Sequence, residues 1–123
     1  MIEPLKVGLI GCGRISDIYI QNCQSFAEID LLACASLDLA ESQAKAAAYN
    51  IPKATLPQEI INDPDIEAVL NLTIPAAHAE ISLAALDAGK HVYSEKPFAT
   101  TLEDGRAILD RATAKGLLVG NAP

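Results

Sequence analysis

An α/β fold built on a doubly wound parallel sheet is the class this 123-residue chain predicts, and three observations predict it. A short apolar run, Leu5 to Ile10, leads through a glycine turn into a helical pattern. About six such runs alternate with helix-length segments along the chain. Right-handed crossovers then make strands connected in this way parallel, with helices on both faces in three layers.

The elements follow in order. Leu5, Val7, Leu9 and Ile10 leave no room for a helix and read as a buried strand. From Ile15 the residues Ile18, Tyr19, Cys23 and Phe26 recur at helical spacing. Leu31 to Ser36 is the second strand, and Leu39 to Tyr49 an alanine-rich helix closed by Asn50 and Pro52. Ala54 and Thr55 make a short strand, and Leu56 to Ile61 a short helix that starts near Pro57 and ends at Asn62, Asp63 and Pro64. Ala68 to Leu72, read as apolar on both faces, is a strand buried between helix layers, and Pro75 opens a helix to about Ala88. His91 to Ser94 is the fifth strand. Thr101 caps a helix with Leu102, Gly105, Leu109 and Ala112 on one face, Gly116 stops it, and Leu117 to Val119 is the last strand. Repeats and low-complexity linkers are absent from the sequence.

The chemistry concentrates at the first turn. Gly8 to Ser16 reads GLIGCGRIS, a GxGxx(S) arrangement between a strand and a helix. Gly11 lets the chain leave the strand sharply, and Gly13 removes a Cβ that would hold a phosphate away from the backbone. With Arg14 and Ile15 these residues lead into a helix whose first amides and positive dipole end suit an anion, the pyrophosphate of a dinucleotide. Ser16 stands in the third glycine's place, small enough for helix and strand to approach, with a hydroxyl available as a cap. In an open parallel sheet, ligands lie beyond the carboxyl ends of the strands where the strand order reverses. Three segments converge there: the glycine turn, Thr73–Ile74–Pro75, and Glu95–Lys96–Pro97.

An acid at the end of the second strand would bond the adenosine ribose hydroxyls. The candidates are Ser36 and Asp38, and Leu37 between them is a cofactor-site residue that cannot pair with a phosphate. A strand ending at Ser36 puts a hydroxyl where the carboxylate belongs and opens the site to NADP, with Arg14 the nearest cation in sequence. Asp38 turned inward favours NAD, and turned outward caps the following helix. The choice between NAD and NADP stays open on these residues.

Composition narrows the partners. Sixteen acidic residues against nine basic ones give a formal charge of −7, which argues against nucleic acid and anionic membrane. No run approaches the roughly 20 apolar residues of a membrane span, and the start MIEPLK lacks a signal-peptide pattern, so a cytoplasmic protein is expected. Cys12, Cys23 and Cys34 match no zinc or redox spacing and read as reduced, buried small residues, with no metal site expected.

Taken together, GCGRIS, ACAS, TIP with His78 three residues on, and GKHVYSEKPFATTLEDG resemble the nucleotide-binding half of the glucose–fructose oxidoreductase, inositol dehydrogenase and MocA-like family, over nearly the whole chain. The resemblance implies a Rossmann domain at residues 1–123 that binds NAD or NADP, and hydride transfer at a carbinol carbon of a sugar, polyol or related substrate. It implies that Lys96 reaches the substrate and helps to seat the nicotinamide, with Glu95 and Pro97 shaping the turn. Thr73, Ile74 and Pro75 then pass beside the nicotinamide ribose, and His78 stands near the cofactor. Asn121 follows the last strand, where family members approach the nicotinamide. Taken alone, EKP is a turn with an exposed Glu and Lys, Pro75 a helix-opening proline, and His78 an exposed surface histidine.

Family members continue into a second α/β domain that supplies most of the substrate pocket, further acid/base residues and usually the oligomer interface. The expectation is therefore a part of a longer polypeptide, with little or no turnover by these residues alone. Two other readings share the glycine turn: a non-catalytic module that senses or sequesters a dinucleotide, and a methyltransferase-like domain, against which EKP speaks.

Overall fold

The computed structural model describes residues 3–123. Strands β1 (Leu5–Ile10), β2 (Ile29–Ala35), β3 (Lys53–Thr55), β4 (Ala68–Asn71), β5 (His91–Ser94) and β6 (Val119–Asn121) alternate with helices α1 (Ser16–Ser25), α2 (Leu39–Tyr49), α3 (Pro57–Asn62), α4 (His78–Asp87) and α5 (Leu102–Lys115). All five strand pairings are parallel, and the sheet order is β3-β2-β1-β4-β5-β6. The chain winds outward from β1 to β3, crosses back to β4 on the other side of β1, and continues to β6. The strand order thus reverses between β1 and β4, as the alternating pattern predicts.

Two apolar layers hold the sheet. On one face Ile10, Val69 and Val92 meet Ile60 of α3, Leu86 of α4 and Ile108 of α5. On the other, Val7, Leu9, Leu31 and Cys34 meet Ile20 and Cys23 of α1 and Ala46 of α2. Each fully buried Ile or Leu contributes about 1.5–3 kcal/mol through removal of its surface from water. This second layer covers β1 to β3. The same face over β4, β5 and β6 stays open as an apolar hollow of about 390 Å³ lined by Leu70, Tyr93 and Leu118 among others. The expectation that β4 is buried on both faces therefore fails: Val69 and Asn71 are buried, whereas Ala68 and Leu70 are only half so.

Helix faces also depart from the expected stripes. In α1 the buried residues are Ser16, Ile20 and Cys23, whereas Ile18 and, just past the helix end, Phe26 face solvent. In α5 Ile108 and Ala112 are buried, and Leu102 and Leu109 are exposed, because only a narrow side of this outer helix packs against α4. Pro75–Ala77 is a 3-10 turn, and α4 proper begins at His78. β6 starts two residues later than expected: Gly116 takes the left-handed conformation at the end of α5 and the Leu117 N–H returns to Ala112 O, so the chain is not yet extended along β5. Asn121 consequently ends the strand. Thr101 caps α5 as expected, its hydroxyl accepting from the Asp104 N–H at 3.1 Å.

All three cysteines are buried and free. The Cys12 thiol donates toward Ala35 O at 3.4 Å. Hydrogen bonding with Cys34 and then burial push its pKa up, which keeps it a packing group beneath the glycine turn. Among the described residues, no helix is long and apolar enough to cross a membrane, and no cluster of His, Cys, Asp and Glu could hold a metal ion.

Candidate functional site

A cleft of about 430 Å³ opens beyond the carboxyl ends of β1, β2 and β4, at the reversal of strand order. Its walls include Gly11, Cys12 and Gly13 after β1, Ser36 and Leu37 after β2, and Leu72, Thr73 and Ile74 after β4. The two glycines differ physically. Gly11 sits at φ +109, and a Cβ there would lie 2.4 Å from Leu72 O, so only glycine passes this crossing of chains. Gly13 has nothing within 4 Å of the Cβ position: the space it leaves is open cleft.

Backbone donors surround that space. The Gly11 N–H is used by Ala35 O, and the next backbone N–H bonded to another backbone group among the described residues is that of Ser16, to Gly13 O at 3.1 Å. The amides of residues 12–15 between them, at the start of α1, have the character of an anion cradle, and the Cβ-free surface of Gly13 lets a phosphate approach them. These residues fit a dinucleotide. Ser16 does not cap the helix; its buried hydroxyl donates to Gly13 O at 2.6 Å and tightens the turn from below.

After β2 the structure sorts the candidates. Asp38 faces outward, accepting the Ala40 N–H at 3.0 Å as the cap of α2. Ser36, just past the strand, donates to the carboxylate of Glu41 at 3.0 Å. Glu41 lines the cleft, and its charge acts on the Cys12 thiol in the glycine turn. Of the acids near the end of β2, the one that lines the cleft is thus Glu41, which sequence reasoning missed because it belongs to the first turn of a helix. Leu37 and Ile74, 92% and 70% exposed, present bare apolar side chains at the cleft.

The segment after β4 is braced by Asn71, fully buried at the strand end. Its amide donates to His78 O and Ser82 Oγ, both at 2.9 Å, and its carbonyl accepts the Thr73 hydroxyl at 2.6 Å. His78 is 1% exposed, contrary to the surface position expected of it. Its Nε2 lies 2.7 Å from Thr73 O and its Nδ1 2.5 Å from Pro97 O, so one ring ties the TIP segment to the EKP turn.

The EKP turn is held from its other side as well. Glu95 accepts the Tyr19 hydroxyl of α1 at 2.5 Å, across 76 positions of sequence. Burial, followed by the contact with Glu95, pushes the Tyr19 pKa up, so the hydroxyl stays a donor. Tyr19 also tilts against Tyr93 with ring centroids 6.4 Å apart. Lys96, between these two ties, is exposed and precedes a cis peptide to Pro97. Asn121 stands beside the same strand end, accepting from Ser94 Oγ at 3.1 Å.

The candidates therefore fall into three groups. Gly11, Gly13, Ser36, Leu37, Thr73 and Ile74 line the cleft itself. His78, Glu95, Lys96 and Pro97 sit at the adjacent end of β4 and β5, linked to it through Thr73. Arg14, Ile15, Pro75 and Asp38 lie outside the lining. Tyr19 carries no local motif, and only the folded chain reveals its part.

Comparison with known proteins agrees with this geometry. The profile described as "Oxidoreductase family, NAD-binding Rossmann fold" matches residues 5–122. Inositol 2-dehydrogenase of Pseudomonas fluorescens (strain SBW25) is 36% identical over 115 residues, 91% of this chain and 34% of that protein. 1,5-Anhydro-D-fructose reductase of Ensifer adhaerens is 35% identical over 92% of this chain and 34% of that protein. Among solved structures, biliverdin reductase from Synechocystis sp. PCC 6803, in complex with biliverdin and NADP+, is 31% identical with a TM-score of 0.89, over 96% of this chain and 37% of its own. KijD10, a 3-ketoreductase from Actinomadura kijaniata in complex with TDP-benzene and NADP, is 26% identical with a TM-score of 0.91, over 96% of this chain and 38% of its own. The chain spans about a third of the length of the curated relatives it matches. With the profile covering nearly every residue and the glycine turn, strand order and cleft in place, the chain belongs to the glucose–fructose oxidoreductase, inositol dehydrogenase and MocA oxidoreductase family and is an NAD(P)-binding Rossmann domain of it.

Proposed function

We propose that residues 1–123 are the dinucleotide-binding domain of an enzyme that moves a hydride between NAD or NADP and the carbinol or carbonyl carbon of a sugar, polyol or related substrate. Alone they give little or no turnover, the rest of the substrate pocket and the oligomer interface lying in the remainder of a longer polypeptide. One observation carries the reading: open space at Gly13, flanked by helix-start amides, shares a sheet end with a lysine turn tied to the cleft by His78.

Bound nicotinamide supplies the hydride donor or acceptor. The chain's own residues do the rest. Amides of residues 12–15 and the positive end of α1 offset the pyrophosphate charge. Arg14 and Ile15 continue that turn, Leu37 and Ile74 offer apolar surface to flat rings, and Thr73 to Pro75 flank the nicotinamide ribose. His78 fixes the spacing between this segment and EKP. The Lys96 ammonium stands by the reacting oxygen, where it stabilises alkoxide charge as the C–H bond breaks or forms. Tyr19 holds Glu95 and thereby the base of the lysine turn.

The test is made in the full-length protein against a panel of polyols and sugars. Lys96→Ala is expected to lower the single-turnover rate about a hundredfold or more, with coenzyme affinity changed by no more than about threefold. An unaltered rate removes Lys96 from the chemistry. Undiminished coenzyme binding by Gly13→Val removes the glycine turn from the binding site.

A further inference from the structure

The fold does not choose between NAD and NADP. Two solved relatives hold NADP, while the matching profile is described by NAD. The choice in such folds is made at the adenosine ribose, near the end of the second strand, where a carboxylate bonds the two hydroxyls and repels a 2′-phosphate. Here β2 ends with no carboxylate of its own in the cleft, since Ser36 follows the strand and Asp38 caps α2 outside the lining. Glu41 fills the gap. Its carboxylate reaches back to accept from Ser36 Oγ at 3.0 Å and lines the cleft beside Gly11, Gly13 and Leu37.

The surrounding charges point the same way. The charged side chains lining the cleft among the described residues are Glu41 and Glu80, both anionic. Lys45, one turn beyond Glu41 on α2, is spent on Asp17 at 2.6 Å. Arg14 is exposed and outside the lining. A 2′-phosphate at this strand end would meet a fixed anion with no cation in the wall.

Resting on the dinucleotide reading above, we propose that Glu41 is the residue that sets coenzyme preference, and that it sets it for NAD. Its free carboxylate oxygen accepts from the ribose hydroxyls. Ser36 holds the other oxygen in place, so the acid is presented rigidly although it comes from a helix.

Calorimetric titration of NAD and NADP into the full-length protein tests this without any substrate. The wild type is expected to bind NAD at least about tenfold more tightly than NADP, the size of effect that one uncompensated charge beside a phosphate produces at the surface of a cleft. Glu41→Gln, which keeps the acceptor for Ser36, is expected to shrink that ratio about fivefold or more, mainly by strengthening NADP, and Glu41→Arg to invert it. The NADP penalty should also fall as salt rises. Equal or tighter NADP binding by the wild type overturns the inference, as does a ratio indifferent to Glu41→Gln. So does a larger change in Asp38→Asn than in Glu41→Gln, which returns the role to Asp38. Those results leave the dinucleotide site standing; binding of neither nucleotide overturns both.

Discussion

Gly11 and Gly13 are two residues apart in one motif, yet their replacement by alanine is expected to damage different things. At Gly11 a Cβ would stand 2.4 Å from Leu72 O and 2.6 Å from the carbonyl carbon, atoms of a backbone pinned by the Leu72 N–H bond to Ile10 O at 2.8 Å. That overlap forces the β1 and β4 strand ends apart, at about 1–3 kcal/mol. The φ of +109 adds strain of about 1–3 kcal/mol for any residue with a side chain. The sum, about 2–6 kcal/mol, is a large part of the stability of an ordinary domain. At Gly13 the added methyl meets nothing within 4 Å and the backbone is not left-handed, so stability should change by no more than about 0.5 kcal/mol. The new Cβ instead occupies the place of a phosphate, and affinity for the coenzyme should fall about tenfold or more, with Gly13→Val worse than Gly13→Ala. Urea denaturation of each variant beside coenzyme titration measures both. Equal destabilisation by the two alanines, or undiminished affinity in Gly13→Ala, refutes the division of labour.

Three further outcomes follow from contacts elsewhere in the fold. Tyr19→Phe removes the hydroxyl held by Glu95, and is expected to lower the single-turnover rate of the full-length enzyme several-fold while coenzyme affinity stays within about twofold, since the hydroxyl touches the lysine turn and not the cleft wall. His78→Ala empties a buried site and frees two carbonyls, so a loss of about 2–4 kcal/mol in urea denaturation is expected. Amide exchange should quicken around both Thr73 and Pro97; protection lost at one segment alone would deny the tie. The Asp63 carboxylate accepts the Asp65 N–H at 2.9 Å and the Lys53 ammonium at 3.2 Å, and those contacts hold its pKa below 3.8. The unfolded chain binds more protons across the interval between the two values, so the stabilisation is whole above 3.8 and disappears as pH falls through the folded value. Asp63→Asn should flatten that acid limb when the urea midpoint is followed from about pH 5 to about pH 2, and an unchanged slope would deny it.

How much of this was legible before folding depended on how local each signal is. The glycine turn, the Thr101 cap and the alternation of apolar runs with helices are readable because each is set by neighbours a few residues apart, and right-handed crossovers turn that alternation into the observed sheet. Segments meeting at the strand ends follow from the same topology. Side-chain direction does not. Glu41 works at a strand end while belonging to a helix, Tyr19 finds Glu95 from 76 positions away, and His78 is buried only because the chain after β5 folds over it. The buried stripes of α1 and α5 differ from those their spacing predicts for a related reason. Periodicity names the residues that can share a face, but the neighbours in the sheet and α4 decide how wide a face is covered, and there it is narrow enough to leave Ile18, Leu102 and Leu109 in water.

The most direct test is a crystal structure of the full-length protein with NAD bound. It should show the pyrophosphate against the amides of residues 12–15 with Gly13 beneath it, the adenosine ribose at Ser36 and Glu41, and the nicotinamide end turned toward Thr73 and Lys96. Coenzyme lodged away from the glycine turn, or a turn packed with the protein's own side chains while NAD occupies another surface, would contradict the account at its root.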